Sequence, residues 1–136
     1  GRSDYFRSLA RSFIVSCDGA HAVHPNMGGK ADPTSRPMLN GGVVIKLSAN
    51  RSYTSDAVSG AAFMQVCEKA GVRVQRFVNR SDMRGGSTIG PISSTHVGIA
   101  SVDVGIPMLA MHSIRELCGV EDNMSMFKAL LEFYNC

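Results

Sequence analysis

Arg73-Val74-Gln75-Arg76-Phe77-Val78-Asn79, then Gly85-Gly86-Ser87-Thr88-Ile89-Gly90, then Ile99-Ala100-Ser101-Val102-Asp103-Val104-Gly105-Ile106 are the stretches that decide the fold of this chain. The first and last are short runs rich in β-branched and apolar residues, which suit buried strands. The glycine loop between them leads into a short helix over 92–96. Strand, glycine loop, helix and strand in succession predict an α/β fold.

Working outward, Val43-Val44-Ile45-Lys46-Leu47 reads as another strand. Thr54 or Ser55 then caps a helix that reaches Ala70 and closes at Gly71, with Val58, Ala61, Ala62 and Val66 as its apolar stripe. Upstream, Ser12-Phe13-Ile14-Val15-Ser16-Cys17 is an apolar run that stops at Asp18-Gly19. Residues 123–134 have helical spacing, with Met126, Leu130 and Phe133 on one side. Between His21 and Asn40 the prolines and glycine pairs predict a long ordered loop, and loops of that length tend to be functional. The expectation is a mixed sheet flanked by helices. Because a helix-like stretch around Tyr5-Phe6 leads straight into the first strand, a further sheet neighbour is expected to lie outside this polypeptide.

Composition narrows the function classes. The 136 residues are 44% hydrophobic, enough for one packed core. A net charge of +3 falls short of the basic density that a phosphate backbone demands, so no nucleic acid is expected as partner. Cys17, Cys67, Cys118 and Cys136 form no CxxC pair and no metal-ribbon spacing, and read as reduced thiols. No apolar run is long enough to span a bilayer and none resembles a signal peptide, so no membrane is expected and a cytoplasmic setting is the default.

Strand ends are where α/β sheets place reactive groups. Asp18 follows the first strand and His112 follows the last by way of Pro107-Met108-Leu109-Ala110-Met111, so a carboxylate and an imidazole could converge on a metal. Alternatively, Asp18 caps a turn before Gly19 and His112 adjoins the N-cap of a helix starting near Ser113. The pair His21 and His24 sits beside Pro25, where no shared helical face exists. His96 is a lone histidine at a helix end, and no HExxH motif is present. The loop 85–90 could hold an anion with its amides and hydroxyls, or could be a turn that needs a positive φ at a glycine. Lys46, between Ile45 and Leu47, either meets an anion or points to solvent.

Four blocks together carry a resemblance. Ser16-Cys17-Asp18-Gly19-Ala20-His21-Ala22-Val23-His24-Pro25-Asn26, Arg36-Pro37-Met38-Leu39-Asn40-Gly41-Gly42, the run from Asn79 to Pro91 and the run from Val102 to Glu116 resemble, in order, motifs of the aspartyl aminopeptidase family. The likeness extends from about Phe13 to Phe133. It implies a partial zinc-aminopeptidase catalytic domain: residues 1–136 as the C-terminal segment, with the upstream catalytic segment and an inserted oligomerisation domain outside it. The family's activity is release of N-terminal aspartate or glutamate from peptides by two zinc ions, with manganese or cobalt as substitutes, in a homo-oligomer.

On the matching positions, the resemblance makes Asp18 a ligand of one zinc and His112 of the other. Lys46 is implied to bind the acidic side chain of the substrate, with Tyr53 hydrogen-bonding alongside. His21, Gly86, Ser87, Thr88 and Met111 are implied to line the same cleft. The general-base glutamate, the first histidine ligand and the bridging aspartate belong upstream in the family, so no catalytic base is expected within these residues, and the segment alone is expected to be inactive. Gly19, Met27 and Met38 stand where the family commonly has methionine, tyrosine and lysine. Two other classes stay open: a non-catalytic module binding anions or nucleic acid through Arg73, Arg76, Arg80 and the Gly85 loop, and a degenerate subunit kept for assembly.

Overall fold

Four consecutive buried residues, Val43-Val44-Ile45-Lys46, form β2 (Val43–Lys46), and a strand covered on both faces belongs in the middle of a sheet. The structure, a computed structural model, describes residues 1–136 and places β2 there. On one side of it lies β3 (Val74–Phe77) and on the other β4 (Ala100–Leu109), with β1 (Phe13–His21) beyond β4, giving the order β1-β4-β2-β3. β1 runs parallel to β4, and β2 parallel to β3, whereas β2 and β4 are antiparallel. A two-residue β5 (Leu117–Cys118) pairs antiparallel with the end of β4. The expected mixed α/β sheet is the one found.

Alternation along the strands divides the chemistry between two faces. Val102 and Val104 of β4 point one way, with Val43 and Ile45 of β2, into the main core. Phe63 and Cys67 of α2 (Ala57–Lys69) and Met126 and Ala129 of α4 (Val120–Asn135) cover that side. Asp103 and Gly105 point the other way. Through the registers Ser16↔Asp103, Asp18↔Gly105, Val44↔Gly105 and Lys46↔Phe77, so do Ser16, Asp18, Val44, Lys46 and Phe77. On this second face α3 (Ile89–Val97) packs its Gly90 against Asp103, and a smaller core of Ala20, Val44, Tyr53 and Phe77 fills the space. The remaining helix, α1 (Arg2–Ala10), buries no residue.

Several sequence expectations need correction. β1 continues to His21 because its pairing with β4 runs through Ala20↔Pro107 and His21↔Met108, so Asp18 lies within the strand and not after it. α2 is capped by Asp56, whose side chain accepts from the Ser59 N–H at 2.7 Å, and not by Thr54 or Ser55. Its buried face is Ser59, Gly60, Phe63 and Cys67; Val58 is 79% exposed, so the predicted stripe points largely to solvent. α3 begins at Ile89, with Pro91 in the first turn where its missing N–H costs nothing. No helix follows Ser113; residues 110–116 form turns that lead to β5. α4 starts at Val120, three residues early, and buries Met126 as predicted, with Leu130 packed against the core and Phe133 beside Phe13. The loop 21–40 contains a short 3-10 helix, Pro25–Lys30, capped by His24 Nδ1 accepting from the Asn26 N–H. None of Gly85, Gly86 and Gly90 has a positive φ, so the turn reading of that loop fails.

Candidate functional site

Lys46 is only 2% exposed, because it ends a strand that is covered on both faces. Its ammonium forms an ion pair with the Asp18 carboxylate and donates to the Gly19 carbonyl oxygen at 3.1 Å. The geometry depends on Gly105, which lies between Asp18 and Val44 in the sheet. A Cβ there would come within 2.8 Å of the Gly19 carbonyl carbon. Lys46 therefore does not point to solvent, and Asp18 does not act as a turn cap. The Tyr53 ring lies under the ammonium at 5.3 Å and meets Phe77 edge-on at 6.4 Å. Burial raises the Tyr53 pKa, the Asn79 side chain works against the rise, and the Asp18 and Asp103 carboxylates add to it, so the phenol stays protonated at neutral pH.

His112 arrives by a different route. β4 ends at Leu109, and Ala110 and His112 both adopt left-handed backbone, with φ of 53° and 70°. Such conformations in residues with a Cβ cost of order 1–3 kcal/mol each and persist where surrounding structure enforces them. Here the Glu116 carboxylate accepts from the His112 N–H at 2.5 Å, and the Ser113 N–H donates to the Ala110 oxygen. His21, at the end of β1, meets the Phe77 ring at 6.1 Å with a tilt of 48°. Burial lowers its pKa, and the nearby His112 and Lys46 lower it further, leaving a neutral imidazole at pH 7.

Beneath these groups is a residue that sequence reasoning passed over. Asp103 is fully buried on β4 and forms no ion pair. Its Oδ1 accepts from Ser16 Oγ at 2.6 Å and Thr88 Oγ1 at 2.7 Å; its Oδ2 accepts from the Thr54 N–H at 2.6 Å and Thr54 Oγ1 at 2.9 Å. The signal available in the sequence was a lone charge inside the apolar run 99–106.

All nine residues singled out from the sequence line one cleft of about 420 Å³: Asp18, His21, Lys46, Tyr53, Gly86, Ser87, Thr88, Met111 and His112. Lys30, Arg80 and Arg84 join its wall. His24 also reaches the cleft, whereas His96 is exposed at the end of α3. Two of the three arginines considered for anion binding are already engaged, Arg73 with the Asn40 oxygen and Arg80 with Asp82. No three His, Cys, Asp or Glu side chains converge closely enough to hold an ion.

Comparison with known proteins fits this arrangement. The aminopeptidase I zinc metalloprotease family (M18) matches residues 1–134. The chain belongs to the M18 family. An M18 relative from Clostridium novyi, described as a probable M18 family aminopeptidase 2, is 64% identical over 134 residues, covering 98% of this chain and 31% of its own. The chain thus spans about a third of the curated M18 relatives it matches. Among solved structures, the Ape4 and Nbr1 complex superposes with a TM-score of 0.96 at 40% identity, over 98% of this chain and 26% of that one. An M18 dodecamer, mApe1 from S. cerevisiae, gives 0.84 at 29% identity, over 96% of this chain and 28% of that one.

The donor set suits the metal of the M18 family only in part. A carboxylate and an imidazole are both good zinc ligands, and both face the cleft. Two donors alone leave coordination open, and the Asp18 carboxylate is paired with Lys46, so these residues do not by themselves form a zinc site. The Gly19 departure has a packing explanation: a Cβ there would lie 2.6 Å from Met108 Sδ, and Met111 also closes on the same space. No helix is long and apolar enough to cross a membrane.

Proposed function

We propose that this chain is the C-terminal segment of the catalytic domain of a two-zinc aminopeptidase that releases N-terminal aspartate or glutamate and works as a homo-oligomer. The observation that supports it most is a buried lysine and two zinc-type ligands on one cleft wall, in a chain of the M18 family. In this reading Asp18 and His112 each contribute one ligand, to different zinc ions, and further ligands and the general base come from segments beyond these residues. When bound, the ions supply Lewis acidity toward the scissile carbonyl.

The chain's own residues do the recognition. Lys46 holds a buried cation that pairs with Asp18 here; in this reading it would turn to the acidic side chain of the substrate once Asp18 served as a ligand, and a charge removed from water binds a carboxylate more strongly than a solvated one does. Tyr53 holds a protonated phenol beside it, able to donate a second hydrogen bond. His21, neutral at pH 7, can donate or accept at the cleft wall. Gly86, Ser87 and Thr88 line the cleft, the Ser87 and Thr88 hydroxyls donating to the Ser52 oxygen and to Asp103, and Met111 lends an apolar surface. The M18 dodecamer among the structural relatives supports assembly of identical subunits.

The decisive assay uses N-terminal glutamyl, aspartyl and leucyl chromogenic substrates with zinc or manganese. The complete enzyme is expected to cleave the acidic pair, and Lys46→Met to lower kcat/KM for them by at least about a hundredfold, as loss of a buried charge-assisted contact does. The 136-residue chain alone is expected to show no turnover. Efficient cleavage of the leucyl substrate, undiminished by Lys46→Met, would overturn the acidic specificity, and turnover by the isolated chain would overturn the divided site.

A further inference from the structure

Asp103 has an unusual position for a carboxylate: fully buried, without a cation, and engaged by four donors at once. Four simultaneous acceptances are within reach of a carboxylate and of no neutral side chain. Burying that charge is costly unless its partners are fixed, so the site makes sense where fixing the partners is itself the gain.

The partners come from three segments that each carry a cleft-lining residue. Ser16 lies two residues before Asp18 on the same face of β1. Thr54 follows Tyr53, and both its N–H and its hydroxyl point to Asp103. Thr88 closes the Gly-Gly-Ser-Thr loop, and the next turn brings Gly90 so near that a Cβ would strike the Asp103 carboxylate. The Ser55 hydroxyl additionally accepts from the Asp103 N–H at 2.8 Å, so the loop 53–55 is bound to β4 through both backbone and side chain. We propose that Asp103 is a positioning residue that fixes Tyr53 and the 86–88 loop relative to Lys46, and thereby sets affinity for the acidic end of the substrate.

This assignment rests on the acidic-aminopeptidase reading above, and its test separates the two. In the complete zinc-loaded enzyme, Thr88→Val cuts one of the four bonds and is expected to raise KM for a glutamyl substrate about tenfold, the size of one charge-assisted hydrogen bond. KM for a leucyl substrate is expected to change far less, bound zinc to stay the same, and Thr88→Ser to restore the wild-type value. Asp103→Asn, which keeps the shape but not the fourfold acceptance, is expected to move KM in the same direction. A merely structural role would lower kcat for both substrates in step with the folded fraction and leave both KM values alone; that pattern overturns the proposal.

Hydrogen exchange on the same enzyme supplies a readout independent of turnover. Thr88→Val is expected to speed exchange in residues 84–90 by roughly tenfold while amides of β1 and β4 keep their protection. Unchanged exchange in 84–90 overturns the tie. If the wild-type enzyme releases no acidic residue, the functional reading fails, and exchange alone decides whether Asp103 holds these loops.

Discussion

Burial pushes the Asp103 pKa up, but the bonds from Ser16, the Thr54 backbone and the Thr88 and Thr54 hydroxyls outweigh it and leave the carboxyl below its ordinary value of 3.8. A folded pKa under the unfolded one means that the contribution is complete above the unfolded value and disappears as pH falls through the folded one. Asp32 and Asp56 are shifted the same way by their own hydrogen bonds, so acid unfolding of the wild type is a sum. Urea midpoints of wild type and Asp103→Asn, compared between about pH 5 and pH 3, isolate this group: the wild type is expected to lose more stability than the variant over that window. At Gly105, a Cβ would press on the backbone of Gly19 and Ala20, and Gly105→Ala is expected to cost about 1–3 kcal/mol by overpacking, read from thermal unfolding. That Asp18 and His112 share one cleft was legible in the sequence, although Asp18 lies within β1 and not beyond it, and Lys46 was legible as a charge that needs an anion. Asp103 was not, because its partners lie 87, 49 and 15 residues away: the β1–β4 register brings Ser16 to it, and the folding of the loop before α2 and of the α3 N-terminus over the sheet brings Thr54 and Thr88.

Among the elements, α4 and α2 differ in how plainly they declared themselves. Met126, Leu130 and Phe133 are large, so the buried stripe of α4 stood out. α2 instead buries Ser59 and Gly60 along with Phe63 and Cys67, small residues that let the helix approach the sheet, and an apolar count favours its exposed Val58 instead. Phe63→Ala is therefore expected to cost about 3–5 kcal/mol, and Val58→Ala close to nothing, by chemical denaturation. Cys67, with its pKa pushed up to about 11 by burial, is expected to resist a thiol reagent while the exposed Cys136 reacts. The start of α4 carries a second buried acid. Asp122 accepts from the N–H groups of Asn40 at 2.6 Å and Gly42 at 2.8 Å, pinning the turn that enters β2. Asp122→Ala leaves both donors unsatisfied, and a loss of about 2–4 kcal/mol is expected in the same experiment.

At the scale of the molecule, the mixed sheet was readable from the order of apolar runs, but its polarity was not. Parallel β1 and β4 beside antiparallel β2 follow from crossovers that span loops and helices, and no local pattern encodes them. The outer rim of β1 pairs with nothing across its nine residues. Amides of β1 that point away from β4 are expected to exchange quickly while those of Val104 and Gly105 in β4, flanked by both β1 and β2, stay slow. This bare margin would set the register of any strand that paired with it. A strand joining it in the parallel sense would run toward the end of β1 at His21, beyond Asp18, and its side chains would alternate between the helix-covered face and the cleft. A slip of one residue in such a pairing would turn every group facing the cleft toward the opposite side, so the alignment of that one strand would decide which of its side chains reached Asp18.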